Sequence, residues 1–298
     1  GASGIDDWEW SPDSRTVYFT RANSMDEDNR KRLDEGFSVD VKNMVTSLAS
    51  LWKIAMNDLV ESRMTDDDAY SVSSFSISSD GAWIAFAGGS PERYERNITG
   101  GRLYTDQYLL EVSSRSIERL TDNYEVGESL ASFSPDSRWI AFSAPDDLSA
   151  YSMTENRIYL RAVDDESGTF RKLGSSFDQS LRMGFWSEDS RTIYFNAGVK
   201  VTTQLHALDI ENNRVSQITD EKARLSVNRD VNSGQILIGY ADPKTPPTLF
   251  TTSDIEGVED RSSWVQLVDA NPQVNGMLLG DQVEVNWTST DGKTVGGV

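Results

Sequence analysis

The residues able to act as acids, bases or nucleophiles are spread along the chain without forming a recognisable catalytic motif. His206 is the only histidine, and there is no cysteine. A histidine that acts as a general base needs a nucleophile within hydrogen-bond reach and a group that orients its ring. His206 instead lies in QLHALDIE, which reads as a strand, and one histidine without cysteine leaves only carboxylates for zinc. We therefore predict a structural role for His206, with no metal and no cofactor.

Carboxylates are the commonest ionisable groups. The 48 acidic residues exceed the 28 basic ones and give a net charge of −20. Three clusters, Asp66–Asp68, Asp146–Asp147 and Asp164–Glu166, lack the alternating ligand spacing of calcium loops and are predicted to be solvated turns. A pair of acids for glycoside hydrolysis could be drawn from so many carboxylates, but no motif selects one.

The charge also limits the classes of partner. It disfavours nucleic acid and anionic membranes because both carry negative charge. It favours solubility, and it could attract cationic peptides. No apolar run is long enough to span a membrane.

An internal repeat predicts the elements that position these residues. Four segments share an aromatic or aliphatic stretch, a Ser-x-Asp-Ser/Gly turn and an alternating strand that ends in phenylalanine. They are WEWSPDSRTVYFT from Trp8, FSISSDGAWIAFA from Phe75, ASFSPDSRWIAFS from Ala131 and GFWSEDSRTIYFN from Gly184, with a weaker fifth copy, RDVNSGQILIGY, from Arg229. Aspartate and serine accept hydrogen bonds from the backbone two residues on, so each copy is predicted to be a β-hairpin. We expect burial between successive units for the phenylalanines that close the hairpins: Phe19, Phe86, Phe142 and Phe195.

A second marker keeps step with the hairpins. A short Leu-Thr-Asp-like stop ends most units, as at Met64–Asp66, Leu120–Asp122 and Ile218–Asp220. Repeats of about 40–50 residues with four strands are typical of β-propeller blades. We therefore predict an all-β fold, a β-propeller of four-stranded blades, whose five legible repeats belong to a ring of seven or eight. The excess length predicts insertions near 23–50, 90–105 and 145–156, and any helix is expected in the first of them.

The repeat resembles two groups of propellers. Trp-Ser-Pro-Asp-Ser-Arg followed by Val-Tyr-Phe, with Leu-Thr-Asp closing the unit, is similar to the TolB-like periplasmic propellers. It is equally similar to the prolyl oligopeptidase family of serine peptidases, notably the acylaminoacyl-peptidase and dipeptidyl-peptidase branches. Asn271-Pro272, Val285-Asn286-Trp287 and Asp291-Gly292 look like that family's junction from the propeller to the α/β-hydrolase domain. The resemblance implies a propeller over residues 1–270 and, over 271–298, a linker and first strand leading to a hydrolase domain absent from this sequence.

The resemblance also bears on activity. Catalysis in the family requires Gly-x-Ser-x-Gly followed by an aspartate and a histidine, and no Gly-x-Ser-x-Gly occurs in these 298 residues. We therefore predict a non-catalytic, substrate-gating propeller of a serine peptidase that hydrolyses peptides, inactive when alone. Two alternatives stay open: a free-standing TolB-like propeller that binds proteins, and a propeller enzyme such as a lactonase or glycosidase.

Further expectations concern substrate contact, location and assembly. In the second insertion, Arg93, Glu95 and Arg96 are candidate substrate contacts, the alternative being an ordinary surface loop. Family habit implies an exported bacterial protein, periplasmic or secreted. The strand at Val283–Trp287 alternates, so one face is apolar and requires a partner. We expect the hydrolase domain to be that partner, and the isolated chain to self-associate or be marginally stable.

Overall fold

The computed structural model describes residues 4–24, 27–37, 48–65, 70–89, 105–122, 126–149, 154–230, 233–274 and 276–298. They form two compact units, Gly1–Lys172 and Leu173–Val298. Within the described residues, α-helix is limited to α1 (Glu27–Asp34) and the single turn α2 (Glu256–Glu259). The first helix lies in the expected insertion. The second lies outside the predicted insertions, in a turn where Asp254 Oδ1 accepts a hydrogen bond from the backbone N–H of Gly257 at 2.8 Å.

The first unit contains three four-stranded antiparallel sheets, each a meander in chain order. The first sheet comprises β1 (Ile5–Trp10), β2 (Thr16–Ala22), β3 (Ala49–Ala55) and β4 (Glu61–Arg63). The second comprises β5 (Ser71–Ile77), β6 (Trp83–Gly89), β7 (Thr105–Glu111) and β8 (Ile117–Arg119). The third comprises β9 (Ser132–Phe133), β10 (Trp139–Pro145), β11 (Asn156–Ala162) and β12 (Arg171–Leu173).

The second unit contains two further meanders and a hairpin. The fourth meander comprises β13 (Phe185–Trp186), β14 (Thr192–Val199), β15 (Thr202–Asp209) and β16 (Arg214–Gln217). The fifth comprises β17 (Arg224–Arg229), β18 (Ile236–Asp242), β19 (Thr245–Thr252) and β20 (Val265–Val268). One parallel bridge, Thr203 to Arg224, joins them into an eight-stranded sheet. The hairpin is β21 (Val285–Thr288) with β22 (Thr294–Gly297). The predicted all-β fold of four-stranded antiparallel units is confirmed.

The Ser-x-Asp turns share one hydrogen-bond pattern, shown here for the third sheet. Ser134 Oγ donates to Asp136 Oδ1 at 2.6 Å, and the same oxygen of Asp136 accepts the backbone N–H of Arg138 at 3.1 Å. Ser134 Oγ in turn accepts the backbone N–H of Trp139 at 3.0 Å. Ser137 has φ 60°, and its N–H donates to the Ser134 carbonyl at 2.9 Å. The two side chains therefore satisfy the polar backbone groups that a tight turn would otherwise leave unpaired.

The same serine–aspartate contact, at 2.6 Å, occurs in the first, second and fourth sheets: Ser11 with Asp13, Ser78 with Asp80, and Ser187 with Asp189. The threonine marker is equally regular. Thr65, Thr121 and Thr219 each accept, through Oγ1, a backbone N–H from the start of the third strand of the same sheet, at 2.9 to 3.0 Å. The marker therefore fastens the end of the fourth strand to the third.

The core of the first unit lies between successive sheets. Tyr18 and Leu51 of the first sheet pack with Phe75 and Phe86 of the second in one buried cluster. A second cluster combines residues of the second and third sheets and contains Phe142. The four hairpin phenylalanines, Phe19, Phe86, Phe142 and Phe195, are buried, with exposures of 0 to 3%. The predicted position between successive units is confirmed for Phe86 and Phe142, which lie in these two clusters.

Candidate functional site

Each meander has two distinct edges. The first-to-second and third-to-fourth connections lie at one edge, and the second-to-third connection lies at the other, because successive antiparallel strands reverse direction. By the turn edge of a sheet we mean the side formed by the strand ends that carries its Ser-x-Asp turn. By the connection edge we mean the opposite side, formed by the strand ends where the second strand of the sheet joins the third. The hydrogen bonds that Thr65, Thr121 and Thr219 accept lie at the connection edges of their sheets.

The second-to-third connections differ sharply in length. In the first three sheets they run from 23 to 48, from 90 to 104 and from 146 to 155. In the fourth and fifth meanders two residues suffice, Lys200-Val201 and Pro243-Lys244. Long loops on a rigid scaffold are where recognition usually occurs, so the connection edges of the first unit are its candidate recognition surface.

The sequence-predicted contact residues belong to the second of these connections. Arg93, Glu95 and Arg96 lie outside the described residues. The acidic cluster Asp66–Asp68 also lies outside them.

In the second unit, the C-terminal segment crosses the connection edges of the fourth and fifth meanders. Lys200 Nζ lies 3.0 Å from Glu284 Oε1, and Lys244 Nζ lies 2.5 Å from Asp281 Oδ1. Both lysines occupy the tips of the two short connections. All four side chains are substantially solvent-exposed, so each ion pair contributes little energy and serves chiefly to guide the segment. The segment continues into the β21–β22 hairpin.

This hairpin carries an uncovered apolar face. Val283 is 67% exposed, and Val285 and Trp287 are each 51% exposed. Val285 and Trp287 share one face of β21, because successive strand residues point to opposite sides, and Val283 lies just before the strand. The predicted apolar strand face is therefore present and lacks cover from the described residues.

His206 is part of the core. It is 3% exposed, and its Nδ1 lies 3.2 Å from the Gln204 carbonyl oxygen. Its ring stacks on Phe195 at 5.5 Å between centroids. Tyr108 stacks on Phe86 and Tyr159 on Phe142 in the same way in the second and third sheets. His206 thus fills the recurring aromatic position of the third strand, and burial lowers its pKa while the Gln204 carbonyl opposes that shift.

The other expected acids are engaged in local structure. Asp147 accepts from the N–H and hydroxyl of Ser149, and Asp165 accepts the N–H of Ser167. Asp146 Oδ1 lies 2.5 Å from Lys172 Nζ. The hydroxyl of Ser187 and the N–H of Arg191 hold the pKa of Asp189 below its ordinary value. These contacts agree with turn and ion-pair roles rather than acid catalysis.

Across the described ranges, no three histidine or carboxylate side chains converge in a way that could hold a metal ion. Neither of the two helices in the part of the chain that the structure describes could cross a lipid bilayer.

The first sheet exposes a second apolar face. Trp8 and Trp10 are 58% and 45% exposed. Phe75 occupies the position of Trp8 in the second repeat, and Phe133 that of Trp10 in the third, and these are only 5% and 9% exposed. In those repeats the preceding sheet provides the cover. The face of the first sheet therefore lacks the neighbour that its equivalents possess.

Repeated four-stranded meanders, closed by Ser-x-Asp turns and packed face to face in the first unit, define a protein of the β-propeller class. The exposed apolar hairpin at the connection edge of the second unit is typical of a surface that packs against another domain or chain. The comparisons with known proteins agree with this class.

No protein-family model matches the chain. The chain is 25% identical over 232 residues to dipeptidyl-peptidase 5 of Porphyromonas gingivalis, a match covering 72% of this chain and 33% of that protein. Its fold is similar to that of the acylaminoacyl peptidase of Pyrococcus horikoshii, with a TM-score of 0.62 and 16% identity, covering 99% of this chain and 43% of the other. A TolB-like protein of Agrobacterium tumefaciens gives a TM-score of 0.51 and 17% identity, covering 86% of this chain and 78% of the other.

These matches confirm the predicted resemblance to the propeller domains of the prolyl oligopeptidase family of serine peptidases. The chain spans about a third of the length of the curated relative that it matches. At this level of identity the solved structures show the fold alone.

Proposed function

We propose that this chain is the propeller region of a serine peptidase of the prolyl oligopeptidase family, in which it limits the access of substrates to a hydrolase domain. The catalytic serine, aspartate and histidine would lie in that domain. The substrates would be short peptides, as the name of the curated relative suggests. The propeller would act by exclusion, admitting only chains narrow enough to pass it.

One observation carries this proposal: the apolar hairpin face at the connection edge of the second unit. Val285 and Trp287 expose one face of β21, and Val283, just before the strand, adds further exposed apolar surface. The Lys200–Glu284 and Lys244–Asp281 pairs guide the chain to this edge before the hairpin begins. A hydrolase domain packed on the hairpin would cover this face. On this proposal residues 1–270 are propeller and 271–298 are the linker and first strand toward the hydrolase.

The exposed face of the first sheet supports a larger ring. Trp8 and Trp10 stand where Phe75 and Phe133 are buried by a preceding sheet. Another blade of the same repeat would bury both tryptophans. This burial would stabilise the assembly by about 25 cal/mol for each Å² of apolar surface removed from water. We therefore propose a ring of seven or eight blades, of which the five legible repeats form part.

Substrate contact is proposed for the long connections of the first unit. Arg93, Glu95 and Arg96 belong to the connection between β6 and β7. Charged side chains on such a loop could hold the terminal charges of a short peptide. The two-residue connections of the fourth and fifth meanders leave no comparable loop.

The test compares this chain with the full-length product of its gene, using aminoacyl and dipeptidyl ester reporters. We expect hydrolysis only by the full-length product. Replacing the 90–104 connection with a two-residue turn, as in the fourth meander, should accelerate cleavage of longer peptides relative to dipeptides. Unchanged length preference in that variant would contradict gating. A full-length product without a hydrolase domain would favour the TolB-like alternative, a free-standing propeller that binds proteins.

A further inference from the structure

A cleft of about 410 Å³ opens at the turn edge between the second and third sheets of the first unit. Its walls include Trp83 from the second sheet, and Trp139 and Val163 from the third. Arg138 and Asp164 lie at the same cleft. It lies at the edge opposite to the connections between second and third strands and is not needed for the proposed gating.

The two tryptophans are equivalent residues of the repeat. Each opens the second strand of its sheet, two residues after the residue that completes the Ser-x-Asp turn. Thr16 and Thr192 take this position in the first and fourth sheets. The repeat therefore also folds with a small residue there, although Trp83 packs against the buried cluster between the second and third sheets. Only the two sheets that flank this cleft carry tryptophan, and both side chains remain partly exposed.

The charge at the cleft is negative on balance. Arg138 Nε donates to Asp136 Oδ2 at 2.7 Å, so its positive charge is offset by a neighbour. Asp164 is exposed and makes no hydrogen bond or ion pair with the residues that the structure describes. The uncompensated group at the cleft is thus a carboxylate beside indole rings. Together with the net charge of −20, this arrangement is complementary to a cation.

We propose that this cleft binds the guanidinium group of an arginine side chain in a peptide. Guanidinium is planar, is weakly hydrated and stacks on aromatic faces, with tryptophan the most favourable partner. The Asp164 carboxylate accepts hydrogen bonds from the same group. Val163 contacts the aliphatic part of the side chain, which carries apolar surface up to its charged end. The inference depends on the cleft alone and holds whether or not the chain belongs to a peptidase.

The test uses acetyl-Gly-Arg-Gly-amide as the probe and its citrulline analogue as a neutral match of the same shape. Binding is followed by the indole N–H signals of Trp83 and Trp139 in ¹⁵N-labelled protein, assigned by their disappearance in W83T and W139T. We expect the arginine peptide to shift both signals and the citrulline peptide to bind about tenfold more weakly, because a neutral side chain loses the cation–π attraction and the ion pair with Asp164 together.

Two variants separate binding from folding. D164N changes an exposed carboxylate that makes no contact with the described residues, and we expect it to weaken binding of the arginine peptide by about three- to fivefold with an unchanged melting temperature. D178N, at an exposed aspartate outside the cleft, is the matched control and should bind as the original chain does. Equal binding of the arginine and citrulline peptides, or an unaltered affinity in D164N, would overturn the proposal. So would indole signals that do not move at millimolar peptide. Tight binding of a proline-rich peptide in both D164N and the original chain would instead identify an aromatic groove for polyproline.

Discussion

Truncation of Phe142 to alanine tests the packing of the repeat. The Phe142 ring is 3% exposed, stacks on Tyr159 at 5.5 Å and meets the edge of Phe170 at 4.9 Å. It lies in a cluster that also contains Ala85 and Leu109 of the second sheet. Removing the ring loses its apolar burial and leaves a cavity between two sheets, so we expect a cost of about 3–5 kcal/mol.

This cost is large beside the about 5–15 kcal/mol that stabilises a typical domain. It should lower the midpoint of thermal unfolding by roughly 10 °C, given about 2–4 °C per kcal/mol for a chain of this size. Far-ultraviolet circular dichroism and urea titration measure both quantities. F37A is the matched control, because Phe37 is 60% exposed and its truncation should change stability by less than about 0.5 kcal/mol. A loss below about 1 kcal/mol at Phe142, or an equal loss at Phe37, would refute the assignment of Phe142 to the inter-sheet core.

Three further outcomes are expected. S134A should cost about 1–3 kcal/mol in urea titration, because it removes the buried acceptor of the Trp139 N–H, whereas S149A at an exposed turn should cost little; equal losses would contradict the role of the turn. H206F should flatten the pH dependence of stability. Burial lowers the pKa of His206 in the folded chain, so the unfolded chain binds the proton more readily and stability falls as the pH drops below about 6.5. Melting curves recorded from about pH 7 to pH 5 should show a smaller fall for H206F than for the original chain, and an equal fall would contradict this role of His206. W287S should increase the monomer fraction in sedimentation velocity, because it interrupts the exposed apolar face; a chain that is monomeric at every concentration would contradict self-association.

The elements that sequence reasoning predicted well are those specified locally. Ser134 and Asp136 are two residues apart and satisfy the turn between them, so the pattern in the sequence is the pattern in the structure. The same locality explains the hydrogen bond from the backbone N–H of Gln107 to Thr121 Oγ1, which joins two neighbouring strands of one sheet. The strand position of His206 also followed from the sequence QLHALDIE, but its burial does not follow from alternation, because its neighbours Leu205 and Ala207 are buried as well.

The features that escaped prediction depend on distant parts of the chain. Lys200 and Glu284 are 84 positions apart, and only the course of the C-terminal segment brings them together. The equivalent positions of Trp83 and Trp139 are visible in the aligned repeats, since each stands two residues after the end of its turn motif. That they share one cleft depends on how two sheets pack, which no local pattern encodes.

Covalent labelling of the full-length gene product is the most direct measurement of the proposed function. A fluorophosphonate probe would be added to that protein, and the modified serine would be located by peptide mass spectrometry. We expect stoichiometric labelling of one serine, in a Gly-x-Ser-x-Gly motif beyond residue 298, and no labelling within residues 1–298. A labelled serine inside this chain, or a full-length product that takes up no probe, would contradict the account of a non-catalytic propeller that gates a serine peptidase.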